Sequence, residues 1–459
     1  MTPNVISTIV GNNLCIGCGL CAAICPERTL IMQFNRFGEY NPIQSKECLK
    51  ECGLCCKVCP FADGNDNEDT IGTTLYGKTG GISHRPETGY YLNGYVGYAQ
   101  DTRKCGASGG MATWFLVTLL KKGIVDYIIA VVPNDKPDQL FKFVILQDTE
   151  SVLSASGSAY YPVELSGVLR EIQSKPGRYA IIGLPCFIKA IRLAAQKNRI
   201  LRERIPVLAG IVCGQMKNRH FTDYIASLAG IRGNDLRKVH YRGKSPDTPA
   251  SNYYFTFTRK NGTNERIFWN DGISEPWMNR WFTPNACSYC DDIFAECGDV
   301  VFMDAWLPEY TKESQGTNIV LVRSQLVQDA IDQGIMGKEV HLEPILIERV
   351  LQCQAGVIDS KRRNLAYQLY LGHQQGCKIP TKRVASAKIS NLFLRQKIFL
   401  KNQMQRISRE IWNPQEPDIK HFNARMRPYM RRLMITEQLD AKLRVFRRKT
   451  PQFMKKKET

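Results

Sequence analysis

The cysteines near the start of the chain are the residues best suited to chemistry. The segments CGLCAAICP (residues 18–26) and CGLCCKVCP (residues 52–60) agree at six of nine positions. Cys15 precedes the first segment and Cys48 precedes the second, so each run holds three closely spaced thiols and a fourth thiol directly before a proline. Thiolates at this spacing bind iron–sulfur clusters. The sequence therefore predicts a duplicated [4Fe–4S] site.

The ligands of each cluster follow from the spacing. Three thiolates of one loop can hold three corners of a cubane, while the thiolate next to the proline binds the other cluster, as in bacterial two-cluster ferredoxins. Two ligand sets are therefore expected: Cys15, Cys18, Cys21 and Cys59 for the first cluster, and Cys48, Cys52, Cys55 and Cys25 for the second. Cys56 aligns with Ala22 of the other run and is not expected to bind iron. Structural zinc and a disulfide framework fit such crowded thiols before Cys-Pro less well.

Composition sets the broad class of the protein. The chain has 459 residues, 43% of them hydrophobic, so it can bury a sizeable core. The odd count of 17 cysteines favours metal or redox chemistry over disulfides. No run of eighteen apolar residues occurs, and the start MTPNVISTIV lacks the features of a signal peptide, so a cytoplasmic protein is expected.

The sequence pattern divides the chain into four parts. Residues 1–62 form the expected two-cluster ferredoxin domain, and residues 63–88, rich in Gly, Asn, Asp and Thr, are expected to be a linker or surface loop. Residues 89–375 alternate between buried strands, such as IVDYIIAVVP and IPVLAGIV, and helices, such as FIKAIRLAAQKN. Residues 253–269 predict a β-hairpin with Asn-Gly in its turn. The predicted fold class is α+β, with a mixed sheet in an α/β domain.

The last part, residues 376–459, is predicted to be a basic helical tail. From residue 378 onward, 22 Lys and Arg stand against 6 Asp and Glu, so the tail carries most of the net charge of +19. One helical face is predicted to be apolar, with Phe393, Leu400, Met404, Ile407 and Ile411. This face could attach the protein peripherally to an anionic membrane surface, dock on a protein partner, or pack on the body of the chain. No RNA- or DNA-reading motif accompanies the charge, so no specific nucleic acid is expected.

Four cysteines of the body lie where α/β sheets build their sites. Cys186 follows a predicted strand and starts a helix, Cys213 ends a strand, and Cys287 and Cys290 form a C-x2-C pair. Thiols from separate turns can converge at the carboxyl ends of parallel strands. Two other interpretations stay open: a buried cysteine that acts as a small hydrophobe, and a reactive Cys186 thiolate at a helix N-terminus.

Five segments carry a resemblance to a known family. In chain order they are ASGGMATWFL, GLPCFIKAIR, GIVCG, CSYCDDIFAECGDVVFMDAW and GTNIVLVRS. They resemble the family formed by the beta subunits of coenzyme F420-reducing hydrogenases and related dehydrogenases over roughly residues 90–325. The resemblance implies a flavin, usually FAD, beside a third [4Fe–4S] cluster whose ligands would be Cys186, Cys213, Cys287 and Cys290. Cys297 and Cys105 are the alternatives if one of these four is misassigned.

The resemblance also points to flavin contacts. Ser108, Gly109 and Gly110 lie where a helix N-terminus can accept a pyrophosphate, and the same residues also suit a simple helix start. Further candidates are Ser156, Gly157, Ser158, Gly183 and Pro185, and the acidic positions of the family motif are matched by Asp291 and Asp304. No catalytic acid or base is identified, since a substrate proton could come from Tyr160, Tyr161 or water.

These observations predict an iron–sulfur flavoprotein oxidoreductase. Electrons would pass from a soluble donor or a partner redox subunit through the two N-terminal clusters and the third cluster to FAD and a small organic substrate or coenzyme, or in the reverse direction. The alternative is a non-catalytic electron-transfer subunit of a larger redox complex. Such a complex could serve polysaccharide biosynthesis, because other members of the family resemble parts of those systems. A scaffold that acts through its basic tail is a second rival.

Overall fold

The computed structural model of the protein describes residues 4–48 and 52–449. Its strands, in chain order, are β1 (Leu30–Phe34), β2 (Tyr40–Gln44), β3 (Ser83–Arg85), β4 (Gly89–Tyr91), β5 (Asn93–Ala99), β6 (Tyr127–Lys136), β7 (Gln139–Leu146), β8 (Tyr179–Gly183), β9 (Val207–Ile211), β10 (Leu236–Gly243), β11 (Tyr254–Arg259), β12 (Asn264–Phe268), β13 (Val300–Asp304), β14 (Asn318–Val322) and β15 (Val340–Pro344). Its α-helices are α1 (Leu20–Ile24), α2 (Leu54–Lys57), α3 (Glu68–Tyr76), α4 (Met111–Lys121), α5 (Thr149–Ser154), α6 (Ser166–Ser174), α7 (Pro185–Lys197), α8 (Arg199–Arg204), α9 (Arg219–Leu228), α10 (Ser274–Met278), α11 (Pro308–Thr311), α12 (Gln325–Met336), α13 (Ile347–Cys353), α14 (Ala355–Asp359), α15 (Leu365–Gln374), α16 (Leu392–Ile411) and α17 (Ile419–Lys449).

An eight-stranded sheet forms the centre of the body, in the order β15-β5-β14-β13-β9-β8-β6-β7. The four inner strands β13, β9, β8 and β6 run parallel, and antiparallel strands flank them on both sides. Side chains alternate along each strand: Ile129 and Ile181 pack in a core with residues of α6 and α7, while Ile128 and Ala180 pack with α4 and α12. Helices therefore cover both faces, which confirms the predicted mixed α/β domain.

One edge of this sheet gathers most of the candidate site. Because parallel strands all end at the same edge, the turns after β8, β9 and β13 meet there. Asn318 starts β14 opposite Asp304, the last residue of β13. The Asn318 Oδ1 atom accepts a hydrogen bond of 3.2 Å from the Met111 N–H, which brings the N-terminus of α4 to the same edge.

The predicted hairpin is confirmed, but it does not belong to the central sheet. β11 and β12 pair around Gly262, whose φ of +86° suits glycine, and β10 completes a separate three-stranded sheet. Aromatic packing explains this placement, because the ring of Tyr241 contacts those of Phe141 and Phe255 at 5.6 and 5.2 Å between centroids. The small sheet thus covers the end of the large one.

The N-terminal cysteine segment packs directly on the body. The β1–β2 hairpin lies between the two cysteine runs, and α1 contacts α6. Leu165 N–H donates to the Cys18 carbonyl at 3.0 Å, and the Arg170 guanidinium donates to the Ala22 and Leu30 carbonyls. These bonds hold the first cysteine run against the start of α6.

Residues 63–88, expected to be a linker or surface loop, contain a helix instead. The Asn67 side chain caps α3 by accepting from the Thr70 N–H, and Ile71 and Tyr76 are buried. Glu68 is also buried and pairs with Lys189 of α7 at 3.2 Å. The small polar residues that suggest a loop in the sequence therefore surround a short helix that is part of the core.

The basic tail also packs on the body. In α16, Leu400, Met404 and Ile407 are buried, while Phe393 and Ile411 are partly buried, so the predicted apolar face is confirmed. The Arg409 guanidinium forms two hydrogen bonds, of 2.7 and 2.9 Å, with the Glu39 carboxylate between the cysteine runs. Within residues 4–48 and 52–449, none of the helices has the length and apolar character needed to cross a membrane.

The Arg409–Glu39 pair is expected to attach the tail to the N-terminal segment. Its side chains are only 6% and 7% exposed, so Arg409→Met leaves a buried carboxylate without its partner and should lower the free energy of unfolding by about 3–5 kcal/mol. Arg406→Met is the matched control, because its pair with Glu410 is 59% and 44% exposed and should contribute less than about 1 kcal/mol. Chemical denaturation checks both values, and equal losses would contradict the proposed role.

Candidate metal and cofactor site

The first predicted ligand set lies together in the structure. Burial raises the pKa of the Cys21 thiol, and the neighbouring thiols of Cys18, Cys15 and Cys59 raise it further. Cys59, from the other run, is partly buried, and desolvation raises its pKa to about 12, with Cys15 among its neighbours. The structure thus places Cys59 beside the thiols of the first run, and its exchange between the runs stays a prediction.

The second predicted set lies nearer the surface. Desolvation raises the pKa of the Cys48 thiol, and the thiols of Cys55, Cys25 and Cys52 raise it further. Cys48 is exposed, and Cys25 is partly buried with its thiol 3.2 Å from Thr29 Oγ1. Because the second set lies nearer the surface than the first, it is better placed to exchange electrons with a second molecule.

Cys56 interacts closely with this second set. A hydrogen bond with the Cys55 thiol lowers the pKa of Cys56 to about 7, and Thr8 Oγ1 lies 3.5 Å from its sulfur. Sequence alignment of the two runs could not have indicated this, because the other run has Ala22 at the same place. That Cys56 does not bind iron stays a prediction.

A third set of thiols meets at the sheet edge. Cys186 lies in the first turn of α7 after β8, Cys213 follows β9, and Cys287 and Cys290 lie in and after the short helical turn Asn285–Tyr289. Burial raises the pKa of Cys186 well above its ordinary value, and Cys290, Cys213 and Cys287 raise it further. Four thiols from three separate segments are therefore within electrostatic range of one another.

The first and third sets are neighbours. The thiol of Cys18 also acts on the pKa of Cys186. Ile16 and Phe61, which flank the first set in sequence, line the same small cavity as the four thiols of the third set. The first set thus has the second set on one side and the third set on the other.

Two cations accompany the third set. Lys361, in the helical turn Ser360–Asn364, is 5% exposed, and its Nζ donates to the Cys290 sulfur at 3.0 Å and to the Asp292 carbonyl at 3.1 Å. The partly buried Arg280 guanidinium donates to Ser288 Oγ at 3.2 Å. Burial raises the pKa of Cys287, and Lys361 and Arg280 oppose that rise. Neither cation was found from the sequence, because neither lies in a motif.

The donor chemistry fits iron–sulfur clusters. The four thiols of each set match the ligation of a [4Fe–4S] cluster by four cysteines. In the part of the chain that the structure describes, no three His, Cys, Asp or Glu side chains are spaced to hold a single metal ion. Ligands of one zinc ion converge within about 2.3 Å of it, whereas a cubane connects thiolates that stand further apart.

The alternative ligands Cys297 and Cys105 lie elsewhere. Cys297 is fully buried, and Glu68, Asp292 and Lys189 are its charged neighbours. The Cys105 thiol donates to the Thr102 carbonyl at 3.3 Å. Neither Cys297 nor Cys105 therefore lies with the third set, which consists of the four cysteines expected at the strand ends.

Ser108, Gly109 and Gly110 lie at the same sheet edge, and packing accounts for their small size. Ser108 Oγ donates to the Thr317 carbonyl, and Gly110, with φ of +77°, precedes α4 without a side-chain cap. A Cβ atom on Gly110 would lie 2.5 Å from the carbonyl carbon and oxygen of Thr102. The simple helix start thus explains the glycines, and flavin contact at this segment stays a prediction.

The other predicted flavin residues border the same edge. Ser158 forms an isolated antiparallel bridge with Tyr241, and Gly157 beside it has φ of +123°. Ser156 is exposed. Gly183 ends β8 and Pro185 is the first residue of α7, so both shape the turn that carries Cys186.

A charged and aromatic cluster completes the edge. The Arg242 guanidinium forms two hydrogen bonds of 2.7 Å with the Asp304 carboxylate, and it lies 4.7 Å from the ring centre of Tyr253. Lys244 Nζ donates to the Ser108 carbonyl at 2.7 Å, and burial, with Arg103 and Arg242 nearby, lowers the pKa of Lys244 to about 8. Asp304 belongs to a motif that the sequence shows, whereas Arg242 and Lys244 lie at the end of β10 without a motif.

Asp291 has a different environment. Its carboxylate is almost fully buried and lies 3.7 Å from Lys382 and 3.4 Å from Arg383. These two cations lower its pKa against the effect of burial, so the charged form is the stable one. Asp291 therefore holds the segment after α15 against the thiol-bearing turn.

The register of the sheet connects this cluster to the third thiol set. Phe302 of β13 pairs with Ile211 of β9. Asp304 ends β13 two residues beyond this pair, and Cys213 lies two residues beyond the end of β9, where its N–H donates to the Ile293 carbonyl at 3.1 Å. A group bound against Asp304 and Arg242 would therefore lie at the same strand edge as Cys213.

Comparison with known proteins identifies the family. The models of the coenzyme F420 hydrogenase/dehydrogenase beta subunit match residues 94–170 (N-terminal part) and 177–347 (C-terminal part), which together exceed half of the chain. The chain belongs to this family. A 4Fe-4S binding domain matches residues 8–30, so this member of the family is an iron–sulfur protein.

Relatives of this chain are found in Methanosarcina and Methanocaldococcus. One of the subunits of the F(420)H(2) dehydrogenase of Methanosarcina mazei is 22% identical over 82% of this chain and 96% of its own length. An uncharacterized protein of Methanocaldococcus jannaschii is 25% identical over 46% of this chain and 62% of its own. A chain of the F420-reducing [NiFe] hydrogenase complex from Methanosarcina barkeri is 16% identical, with a TM-score of 0.49, and the match covers 63% of this chain and 96% of that one.

The ligand assignment of the N-terminal runs can be tested with two adjacent cysteines. Cys55→Ala should remove one cluster and lower the iron content by about four per chain, because its thiolate holds a corner of the cubane. Cys56→Ala is the matched control and should leave the iron content unchanged. Iron and sulfide analysis after anaerobic purification measures both, and equal iron loss in the two variants would show that the register is wrong.

Proposed function

We propose that this chain is an iron–sulfur flavoprotein oxidoreductase subunit. It takes up electrons one at a time at the exposed second cluster and passes them through the first cluster to a third cluster held by Cys186, Cys213, Cys287 and Cys290. A flavin bound at the adjacent sheet edge would supply the exchange between single electrons and hydride, since two electrons and one proton make up one hydride for an organic acceptor.

One observation carries this proposal: four thiols from three segments, one of them buried and three partly buried, meet at the carboxyl edge of the parallel strands. The stability of the fold does not require these thiols to meet, since a single buried cysteine can already act as a small hydrophobic residue. Thiolates that crowd together repel one another, so the arrangement makes sense when positive charge lies between them. An iron–sulfur core supplies that charge.

The residues at the edge suit a flavin. Arg242, Lys244 and Arg103 supply positive charge, and the rings of Tyr253 and Trp306 lie within 6 Å of the Arg242 guanidinium. An anionic aromatic ligand is favoured by this combination of charge and rings. We propose that Lys244 and the segment from Ser108 to Gly110 face the pyrophosphate of FAD, while the Arg242–Asp304 pair orients the ring system near Cys213.

The acceptor is proposed to be a small organic coenzyme or substrate. The relative from Methanosarcina mazei is named as part of an F(420)H(2) dehydrogenase, which is an enzyme of more than one subunit. The same naming supports the second candidate function, a non-catalytic subunit that only delivers electrons to a partner. The two differ in one property: the catalytic form, once chemically reduced, is reoxidised by an organic hydride acceptor without a partner protein.

Iron and flavin analysis tests the proposed cofactors. Full-length protein purified anaerobically should contain about twelve irons and one flavin per chain. Cys290→Ala should lose about four irons, because one corner of the third cluster has no ligand. Cys297→Ala is the matched control, a buried cysteine seven residues away that should retain all the iron. About eight irons and no flavin in the unaltered protein would contradict the proposal and favour a two-cluster electron carrier.

A further inference from the structure

The charges around the thiol sets differ in a way that bears on the direction of electron flow. Lys361 donates directly to the Cys290 sulfur at 3.0 Å, and Arg280 is a second, partly buried cation beside Cys287 and Cys290. Each set also has an acidic neighbour: Glu39 acts on Cys15 of the first set, and Asp292 acts on Cys213 of the third. Arg409 neutralises Glu39, so the group beside the first set is a neutral ion pair in which the Glu39 carboxylate is the member that acts on Cys15.

Local charge changes how readily a buried cluster accepts an electron. Reduction adds negative charge, which a nearby cation stabilises and a nearby anion opposes. Hydrogen bonds to cluster sulfurs and burial act on the potential in the same way. Lys361 supplies both a charge and an N–H donor to one thiolate.

We propose that Lys361 is a positioning residue that raises the reduction potential of the third cluster above that of the first, so that electrons flow inward from the N-terminal clusters to the body. The step transfers one electron: the first cluster is oxidised, the third cluster is reduced, and no bond or proton changes place. A one-electron carrier protein re-reduces the N-terminal clusters. This inference rests on the proposed third cluster, and Lys361 lies beyond residues 177–347, the part matched by the family.

Lys361 has few other roles that could explain its burial. It is 5% exposed, and its second hydrogen bond, to the Asp292 carbonyl, lies in the same thiol-bearing turn. A lysine used only for packing would keep its charge near water. Arg280 differs, because Gln405 and Ser288 also hold its guanidinium, so Lys361 is the cleaner position to change.

The test is a redox titration of the full-length protein, followed by EPR spectroscopy under anaerobic conditions. Loss of one signal in Cys290→Ala identifies the third cluster. In the unaltered protein this signal should appear at a higher potential than that of the first cluster. Lys361→Met should shift it to lower potential by at least about 59 mV, a tenfold change in the one-electron equilibrium, while the other signals stay in place.

Three further variants separate the possible causes. Lys361→Arg keeps the charge and should restore most of the potential, while Lys361→Gln keeps a donor without charge and should give an intermediate value. Lys238→Met, which removes an exposed lysine paired with Asp135, should change nothing. If Lys361→Met loses iron, the reduction potential is measured on Lys361→Gln instead. Loss of iron from Lys361→Arg as well would overturn the proposal, because it would show a purely structural role.

The failures of this inference and of the proposed function are distinguishable. A full iron content with an unchanged potential in Lys361→Met and Lys361→Gln overturns the role of Lys361 alone. The same holds if the third cluster of the unaltered protein has the lower potential. About eight irons in the unaltered protein overturns both, because no third cluster is then present.

Discussion

Repulsion between buried thiolates is the constraint on which the rest of this structure depends. Burial alone raises the pKa of Cys186, and three neighbouring thiols raise it further. Two unit charges about 4 Å apart interact by roughly 4 kcal/mol at the effective dielectric of a protein, so four thiolates require a positive centre between them. Strands β8 and β9 bring Cys186 and Cys213 to one edge, and a hydrogen bond from the Cys213 N–H to the Ile293 carbonyl holds the segment of Cys287 and Cys290 there. Lys361 adds a cation beside the Cys290 sulfur. The same requirement applies to both N-terminal sets.

Parts of the chain outside the family match complete this arrangement. Lys361 comes from a helical turn after α14, Gln405 of α16 holds the Arg280 guanidinium, and Arg409 of α16 pairs with Glu39. The N-terminal segment contributes Ile16 and Phe61 to the cavity of the third set. The tail and the N-terminal segment therefore enclose the thiols from two sides, which limits the access of water to them. This enclosure also explains why the apolar face of α16 is buried.

The sequence predicts those parts of the fold that depend on local pattern. The buried strands β6, β8 and β9 show as apolar runs, and the Asn-Gly turn indicates the hairpin. The ligand sets follow from the spacing of repeated cysteines, and the structure brings the same cysteines together. What the sequence does not reveal depends on contacts between distant residues. Lys361 and Cys290 are far apart in the chain, Arg242 meets Asp304 through two different sheets, and α3 hides among small polar residues. Neither composition nor periodicity records such pairings.

The central claim is that a third cluster lies at the carboxyl edge of the parallel strands, beside a flavin. Crystallography of anaerobically grown crystals, with an anomalous difference map at the iron edge, tests it most directly. We predict three cubane-shaped peaks, one of them enclosed by Cys186, Cys213, Cys287 and Cys290, with flavin density against the Arg242–Asp304 pair. Two peaks confined to the N-terminal cysteine runs, with the four body thiols free of iron, would contradict the account.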